Sequence, residues 1–164
     1  MLANKENDVI ELIISGGQTG VDRAALDAAI FNNIPHGGTC PKGRLAEDGV
    51  LDKIYNLIET DSSDPAVRTV LNIKNSDATL IFVPSLPLKI TDGTILTIDT
   101  VKNLNKKHLI IDLASAFQRS DIVKWVIESN ARILNVAGPR ESSSPGIYNA
   151  TFSLLKPIFS EMRP

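Results

Sequence analysis

Short runs of apolar and β-branched residues alternate along the chain with longer stretches of helical period. The runs at Leu12–Ser15, Ile34–His36, Leu57–Thr60, Ala78–Val83, His108–Asp112 and Arg132–Val136 read as strands. Helical patterns lie between them. The first, about Gly20 to Asn32, sets Ala24, Ala25, Ala28 and Ala29 along one side, where small side chains permit close approach to a sheet. A second begins at Asp64-Pro65, an N-cap and N1 pair, and carries Val67, Val70, Leu71 and Ile73 towards Asn75. The third, from about Thr94, offers Ile95, Leu96, Ile98, Val101 and Leu104. A fourth follows Ser120-Asp121 with Ile122, Trp125 and Val126 and stops at Asn130; the last runs from about Pro145 towards Ser160.

Alternating strands and helices predict parallel strands joined by crossover helices. The near-uniformly apolar "ATLIFV" and "HLIID" imply strands covered on both faces, hence a three-layer α/β/α sandwich around a mainly parallel, doubly wound sheet. The stretch from His36 to Asn56 has no period and is punctuated by glycine and Pro41, which predicts a long, shaped, functional loop.

Composition narrows the class. A chain of 164 residues predicts one domain spanning 1–164. A formal net charge of -2 lacks the basic excess that phosphate-backbone binding needs, so nucleic acid is not expected as a partner. One cysteine, Cys40, cannot form an internal disulfide, and no leader pattern precedes the first strand, which predicts a reducing, cytoplasmic setting. The apolar runs are too short to span a bilayer.

In doubly wound sheets ligands sit outside the carboxyl ends of the strands, and four such ends are unusual here. After the first strand come Gly16, Gly17, Gln18, Thr19 and Gly20, then a helix whose exposed N–H groups and positive dipole end favour an anion. The spacing is neither G-x-G-x-x-G nor G-x-x-x-x-G-K-[ST], which disfavours hydride transfer and ATP hydrolysis. Arg23 next door is a candidate anion clamp. At the second end, the long loop brings Lys42 and Arg44 as candidate counter-charges. Cys40 has His36 as its one neighbouring imidazole, so no metal is expected and packing or a reactive thiol remains. The third end holds Asp92, Gly93 and Thr94 before a helix, with Asp92 read as its N-cap. The fourth, "NVAGPRESSSPGIY", places Gly138, Pro139 and Arg140 ahead of a serine loop. No catalytic triad or carboxylate dyad emerges, so catalytic residues stay unassigned; Glu47, Asp48 and Glu141 are candidate acids, and His108 reads as structural.

Together "SGGQTGVDRAALDAA", "IPHGGTCPKGRLAEDG", "NSDATLIF" and "LNVAGPRESSSPGIY" resemble the putative molybdenum carrier family of the SLOG superfamily, over about Ile13 to Tyr148. The resemblance implies a Rossmann-like fold related to the lysine decarboxylase-like proteins. It also implies a molybdenum-cofactor (molybdopterin) carrier and a homo-oligomer, dimer or tetramer. It marks Gly16 to Gly20 as a first ligand loop, Gly93 and Thr94 as a second, and Gly138, Pro139 and Arg140 as a motif beside the cleft. Thr39 stands where relatives often carry an aromatic residue, and Asp92 where they carry a second glycine. The expected activity is therefore binding of a phosphorylated, anionic small molecule. The alternatives are a nucleoside-monophosphate phosphoribohydrolase, of whose P-G-G-x-G-T loop "ITDGT" is a fragment, and a nucleotide or ADP-ribose sensor.

Overall fold

The chain alternates strand and helix largely where its hydrophobic pattern changes period. The structure, a computed structural model, describes residues 10–162. In chain order the elements are β1 (Leu12–Ile14), α1 (Val21–Phe31), β2 (His36–Gly37), β3 (Thr39–Cys40), β4 (Leu45–Ala46), β5 (Gly49–Val50) and β6 (Ile58–Glu59). They continue as α2 (Pro65–Lys74), β7 (Ala78–Val83), α3 (Gly93–Asn103), β8 (Lys107–Asp112), α4 (Arg119–Ser129), β9 (Ile133–Ala137) and α5 (Ile147–Met162).

Five strands form one sheet in the order β2-β1-β9-β7-β8, and every neighbouring pair is parallel. Counted cyclically from β9, with β1, β2, β7 and β8 following, the strands lie third-second-first-fourth-fifth across the sheet. That is the Rossmann order. The direction of winding reverses between β9 and β7, so a crevice is expected above their carboxyl ends.

β7 is buried at every position and sends alternate residues to the two faces. Leu80 and Phe82 join Leu134 and Val136 of β9 under α1, α4 and α5; the alanines of α1 let that helix and α5 come close. Ile81 and Val83 pack on the other face against Ile73 of α2 and Val101 of α3. Helix ends follow local rules. Asp64 caps α2 at Ala66 N (2.9 Å) with Pro65 at its start, Asp92 caps α3 at Thr94 N (2.9 Å), and Asn130 ends α4 in the left-handed region.

Three expectations are corrected. Leu57–Thr60 is not a strand of the main sheet: β6 is two residues long and pairs with β3 in a separate ribbon. The long segment after β2 is therefore an ordered excursion, held by this ribbon, by the β4–β5 hairpin and by an apolar cluster of Cys40, Leu51, Tyr55 and Leu57 against Leu26. β8 is an edge strand, mostly half-buried, because nothing among the described residues pairs with its outer side. Finally, α2 and α3 do not turn the expected stripes inward. α2 buries Arg68 and Asn72 with Ile73 and exposes Val67; α3 buries Thr94, Thr97 and Thr100 with Val101 and exposes Ile95 and Leu104.

Phe82, fully buried at the centre of the sheet, sets the scale of core stability. Phe82→Ala is expected to lower unfolding free energy by about 3–5 kcal/mol, read as a fall in the urea midpoint at unchanged slope.

Candidate functional site

A cleft of about 180 Å³ opens above the carboxyl ends of β1 and β9, on the β1 side of the point between β9 and β7 where the winding reverses. Its floor is Gly16 after β1 and Asn135 to Gly138 of β9 and the turn that follows. One wall is α2, presenting Arg68, Thr69 and Asn72; another is the start of α3, with Asp92, Gly93 and Thr97. Gln18, Asp22 and Arg140 complete the lining, which contains no aromatic ring.

The deepest charges are an ion pair. Arg68 and Asp22 are only 8% and 7% exposed, and Arg68 Nη1 stands 3.7 Å from Asp22 Oδ2. The same Nη1 donates to the Gly16 carbonyl. No acceptor among the described residues meets Nε or Nη2 of Arg68. Asp22 Oδ2 accepts the Gln18 N–H (3.3 Å), and Oδ1 has no donor among the described residues. Burial pushes the Asp22 carboxyl up to about 6; Arg68 and the Gln18 N–H pull it down without cancelling that push, and Asp92 across the cleft adds to it.

The loop from Gly16 to Gly20 is engaged internally. Gly20 has φ 78°, and a Cβ there would run into the Pro139 carbonyl, so a residue without a side chain is needed where two loops touch. Val21 N donates to that carbonyl (3.2 Å), Thr19 N to Gln18 Oε1 (3.0 Å), and Glu141 N to Thr19 Oγ1 (3.1 Å). The N–H groups of Gln18, Thr19 and Val21 therefore face protein acceptors, and Gly16, Gln18 and Asp22 are what this segment contributes to the cleft.

The other candidate residues divide between cleft and scaffold. Gly93, Gly138 and half-exposed Arg140 line the cleft. Arg140 Nε donates to Ser143 Oγ (3.1 Å) and lies 3.6 Å from Glu47 Oε2. A Cβ on Gly138 would stand 2.6 Å from Val21 Cγ2 and from the Phe82 carbonyl, so β9, β7 and α1 pack tightly at that point. Thr94 sits beneath the α3 start with Oγ1 buried and unpartnered. Gly17 is turned away from the cleft towards Leu51 and Leu57, and its carbonyl accepts from Arg23 Nη2 (3.1 Å). Arg23 also grips Asp48 (3.0 Å) and covers the Tyr55 ring at 5.3 Å, which places it outside the cleft lining. Arg44 donates to the carbonyls of Asp52, Tyr55 and Leu57 at 2.9–3.1 Å and organises the long loop. Lys42 is exposed on that loop, away from the lining.

The three candidate acids also serve the scaffold. Burial alone would raise Glu47, but hydrogen bonds from Ser142 and Thr19 outweigh it and hold the carboxyl below its ordinary value. Asp48 is held low by its bond to Arg23, and Glu141 accepts the Tyr148 N–H (2.9 Å) at the start of α5. Cys40 is buried among apolar side chains, which pushes its thiol up. His36 Nε2 accepts the Asn56 N–H (3.1 Å), and His108 is half-buried in β8 with Nδ1 2.9 Å from the Lys106 carbonyl. No group of three or more His, Cys, Asp or Glu among the described residues is placed to hold a metal.

The aliphatic residues of α2 suggest a different buried face, so the sequence pattern does not point to Arg68 and Asn72. Asn72 Oδ1 accepts both the Thr39 N–H (2.8 Å) and its hydroxyl (2.9 Å), and Asn72 Nδ2 donates to the Thr39 carbonyl (3.1 Å). Thr39 thus fixes the rotation of α2 and, one turn earlier, the direction of Arg68. The available signal was the i, i+4 spacing of Arg68 and Asn72, which puts both on one helix face.

Residues 13–159 match the circularly permutated YpsA SLOG family. No curated protein matches the chain. A solved structure from Syntrophus aciditrophicus SB, named as a putative molybdenum carrier protein, is 43% identical, with a TM-score of 0.86 over 92% of this chain and 95% of that one.

The raised Asp22 carboxyl predicts a specific pH dependence of stability. With a folded value of about 6 against an ordinary 3.8, the folded chain keeps a proton that the unfolded chain releases between those values. This contribution is complete below the ordinary value and is lost as pH rises through about 6. Asp22→Asn should therefore gain on the wild type by about 2 kcal/mol between pH 4 and 7, at no more than roughly 1.4 kcal/mol per pH unit. Paired urea titrations across that range check the sign.

Proposed function

The chain belongs to the circularly permutated YpsA SLOG family, and from that membership we propose that it is a carrier that binds the phosphorylated end of an anionic cofactor in the cleft between β9, α2 and α3. The observation that carries this reading is Arg68: a buried guanidinium, directed into the cleft, with Nε and Nη2 unmatched by a protein acceptor. A guanidinium held in the cleft wall, with two nitrogens left for whatever enters the cleft, is placed to bind an anion. Arg140 adds a second guanidinium at the rim.

The cargo in this reading is molybdenum cofactor, suggested by the name of the 43% identical neighbour. A cleft of about 180 Å³ is smaller than the roughly 300–1,000 Å³ of sites that enclose a drug-sized ligand. It suits the phosphate and the atoms beside it, with the ring system extending outward over walls that offer no aromatic stacking partner. The contributing residues are Arg68, Arg140, Gln18, Gly16, Gly93 and Gly138. Thr19, Gly20, Gly17 and Arg23 support the loop beneath, Arg44 shapes the long segment, and Lys42 lies outside. Holding the ligand needs no bond made or broken. The acids that the sequence offers for cleavage of a nucleotide, Glu47, Asp48 and Glu141, are bound into the scaffold. The same reading expects a cytoplasmic homo-oligomer. Among the described residues no helix is long and apolar enough to cross a membrane.

Protein purified from cofactor-producing cells should carry molybdenum and a fluorescent oxidised pterin in matching amounts. Arg68→Ala should lose at least about tenfold in affinity, as expected for a charged hydrogen bond of roughly 1.5–3 kcal/mol, while half-exposed Arg140→Ala loses less. Absence of both molybdenum and pterin would sink the molybdenum assignment.

A further inference from the structure

Arg68 does not stand alone on the cleft floor: a carboxyl shares it, and an anion placed against the guanidinium also meets Asp22. The charged groups lining the cleft are the carboxyls of Asp22 and Asp92 and the guanidiniums of Arg68 and Arg140. They sum to zero when all are ionised. Asp22 faces Arg68 from α2, Asp92 from the cap of α3 and the Gln18 N–H from its own loop, with Arg23 further along its helix. β9 contributes uncharged Asn135, whose Nδ2 is directed to Thr79 Oγ1 (3.3 Å). Asp22 Oδ1 has no protein donor among the described residues.

A fully ionised oxyanion on Arg68 would put an anionic oxygen against Asp22, and two acceptors without a proton between them repel at short range in a low dielectric. A phosphomonoester differs, because its second ionisation falls near pH 6 and it can bring a proton. From this arrangement we propose that the Asp22–Arg68 pair is a selectivity device: Arg68 donates to an anionic oxygen, while one proton is shared between a second ligand oxygen and Asp22 Oδ1. The cleft thereby accepts phosphate and phosphomonoesters and rejects sulfate and bare molybdate at neutral pH. The ligand supplies the proton: the P–OH of the monoanion donates to the ionised Asp22 carboxylate and the complex holds that one proton, whereas sulfate and molybdate have none to give at neutral pH. This inference rests on the carrier reading and deepens it: the molybdenum would arrive on a phosphorylated organic ligand and not as the free oxyanion.

The test measures binding of inorganic phosphate, methyl phosphate, sulfate and molybdate by calorimetry at pH 7.5, with phosphate and sulfate repeated at pH 5.5. At pH 7.5 inorganic phosphate, which keeps its second proton to higher pH than methyl phosphate, should bind at least about tenfold more tightly than sulfate or molybdate, with methyl phosphate between them. At pH 5.5, where Asp22 itself can carry the proton, sulfate should gain and the gap should narrow. Asp22→Asn, whose amide donates at every pH, should bind phosphate and sulfate within about twofold of each other at both pH values. The wild-type pH comparison stands independently should that variant fold poorly. Equal wild-type affinity for phosphate and sulfate at pH 7.5 overturns the selectivity while leaving the cleft an anion site. Failure of all four anions to bind, in a protein that also lacks pterin and molybdenum, overturns the carrier reading with it.

Discussion

A buried guanidinium needs counter-charge and acceptors wherever it is placed, and the surroundings of Arg68 are organised by that need. The Gly16 carbonyl and the Asp22 carboxyl meet it from the β1–α1 segment, and both are withdrawn from solvent with it. Desolvating such a pair costs as much as its attraction returns unless further partners complete it. The Gln18 N–H supports Asp22 from one side, and the open cleft leaves the rest of Arg68 for a ligand. A pair that holds charge largely out of water in this way contributes little to stability.

The parts that hold this pair in place come from distant stretches of chain. Thr39, from the excursion after β2, grips Asn72 and so sets the rotation of α2. That excursion is fastened by Arg44 to three carbonyls and by Arg23 to Asp48. The Asp27 carboxylate joins it to α5 by accepting Tyr55 Oη (2.6 Å) and Tyr148 Oη. Burial, together with that shared carboxylate, raises both phenols well above their ordinary range, so the two hydroxyls remain donors at any physiological pH. On the opposite rim Glu47 accepts from Thr19 and Ser142 and ties the hairpin to both glycine-containing turns. Cations and acids that resemble ligand-binding groups in the sequence are thus the fasteners of a rigid frame, and a rigid frame reduces the ordering cost of binding.

The topology explains why the cleft lies where it does. In a sheet whose strands run cyclically from β9, the reversal of winding between β9 and β7 parts the helices on opposite faces and leaves a crevice above the strand ends. The turn after β9 takes the place that a first strand-to-helix turn occupies in the unpermuted order, and the Gly16–Gly20 segment lies beside it. Their contact at Gly20 and Pro139 joins the two turns into one surface. The contact engages the Val21 N–H, and Asp22 and Gln18 side chains engage the Gln18 and Thr19 N–H groups, so the guanidinium of Arg68 is the deepest positive charge of the cleft.

Local chemistry determined much of the molecule. Periodicity placed the central strands and all five helices, because burial in a sandwich imposes the same alternation on any chain that forms one. Asp64, Pro65, Asp92 and Asn130 announced helix ends, since capping needs partners only two or three residues away. Gly16, Gly93, Gly138 and Arg140, placed at strand ends by that pattern, do line the cleft. What tertiary structure alone decided was the direction of side chains whose partners lie far along the chain. Val67 faces out and Arg68 in because Thr39 and Gly16 supply polar partners from across the fold. Lys42, Arg44 and Arg23 are outside the cleft because the excursion carrying two of them folds back on its own carbonyls and the third closes it. β8 is only half-covered because it stands at the sheet's edge, a position its apolar composition does not reveal. A residue's type limits what it can bind; which partner it meets depends on loop closure and packing among segments tens of residues apart, and a local pattern carries no record of them.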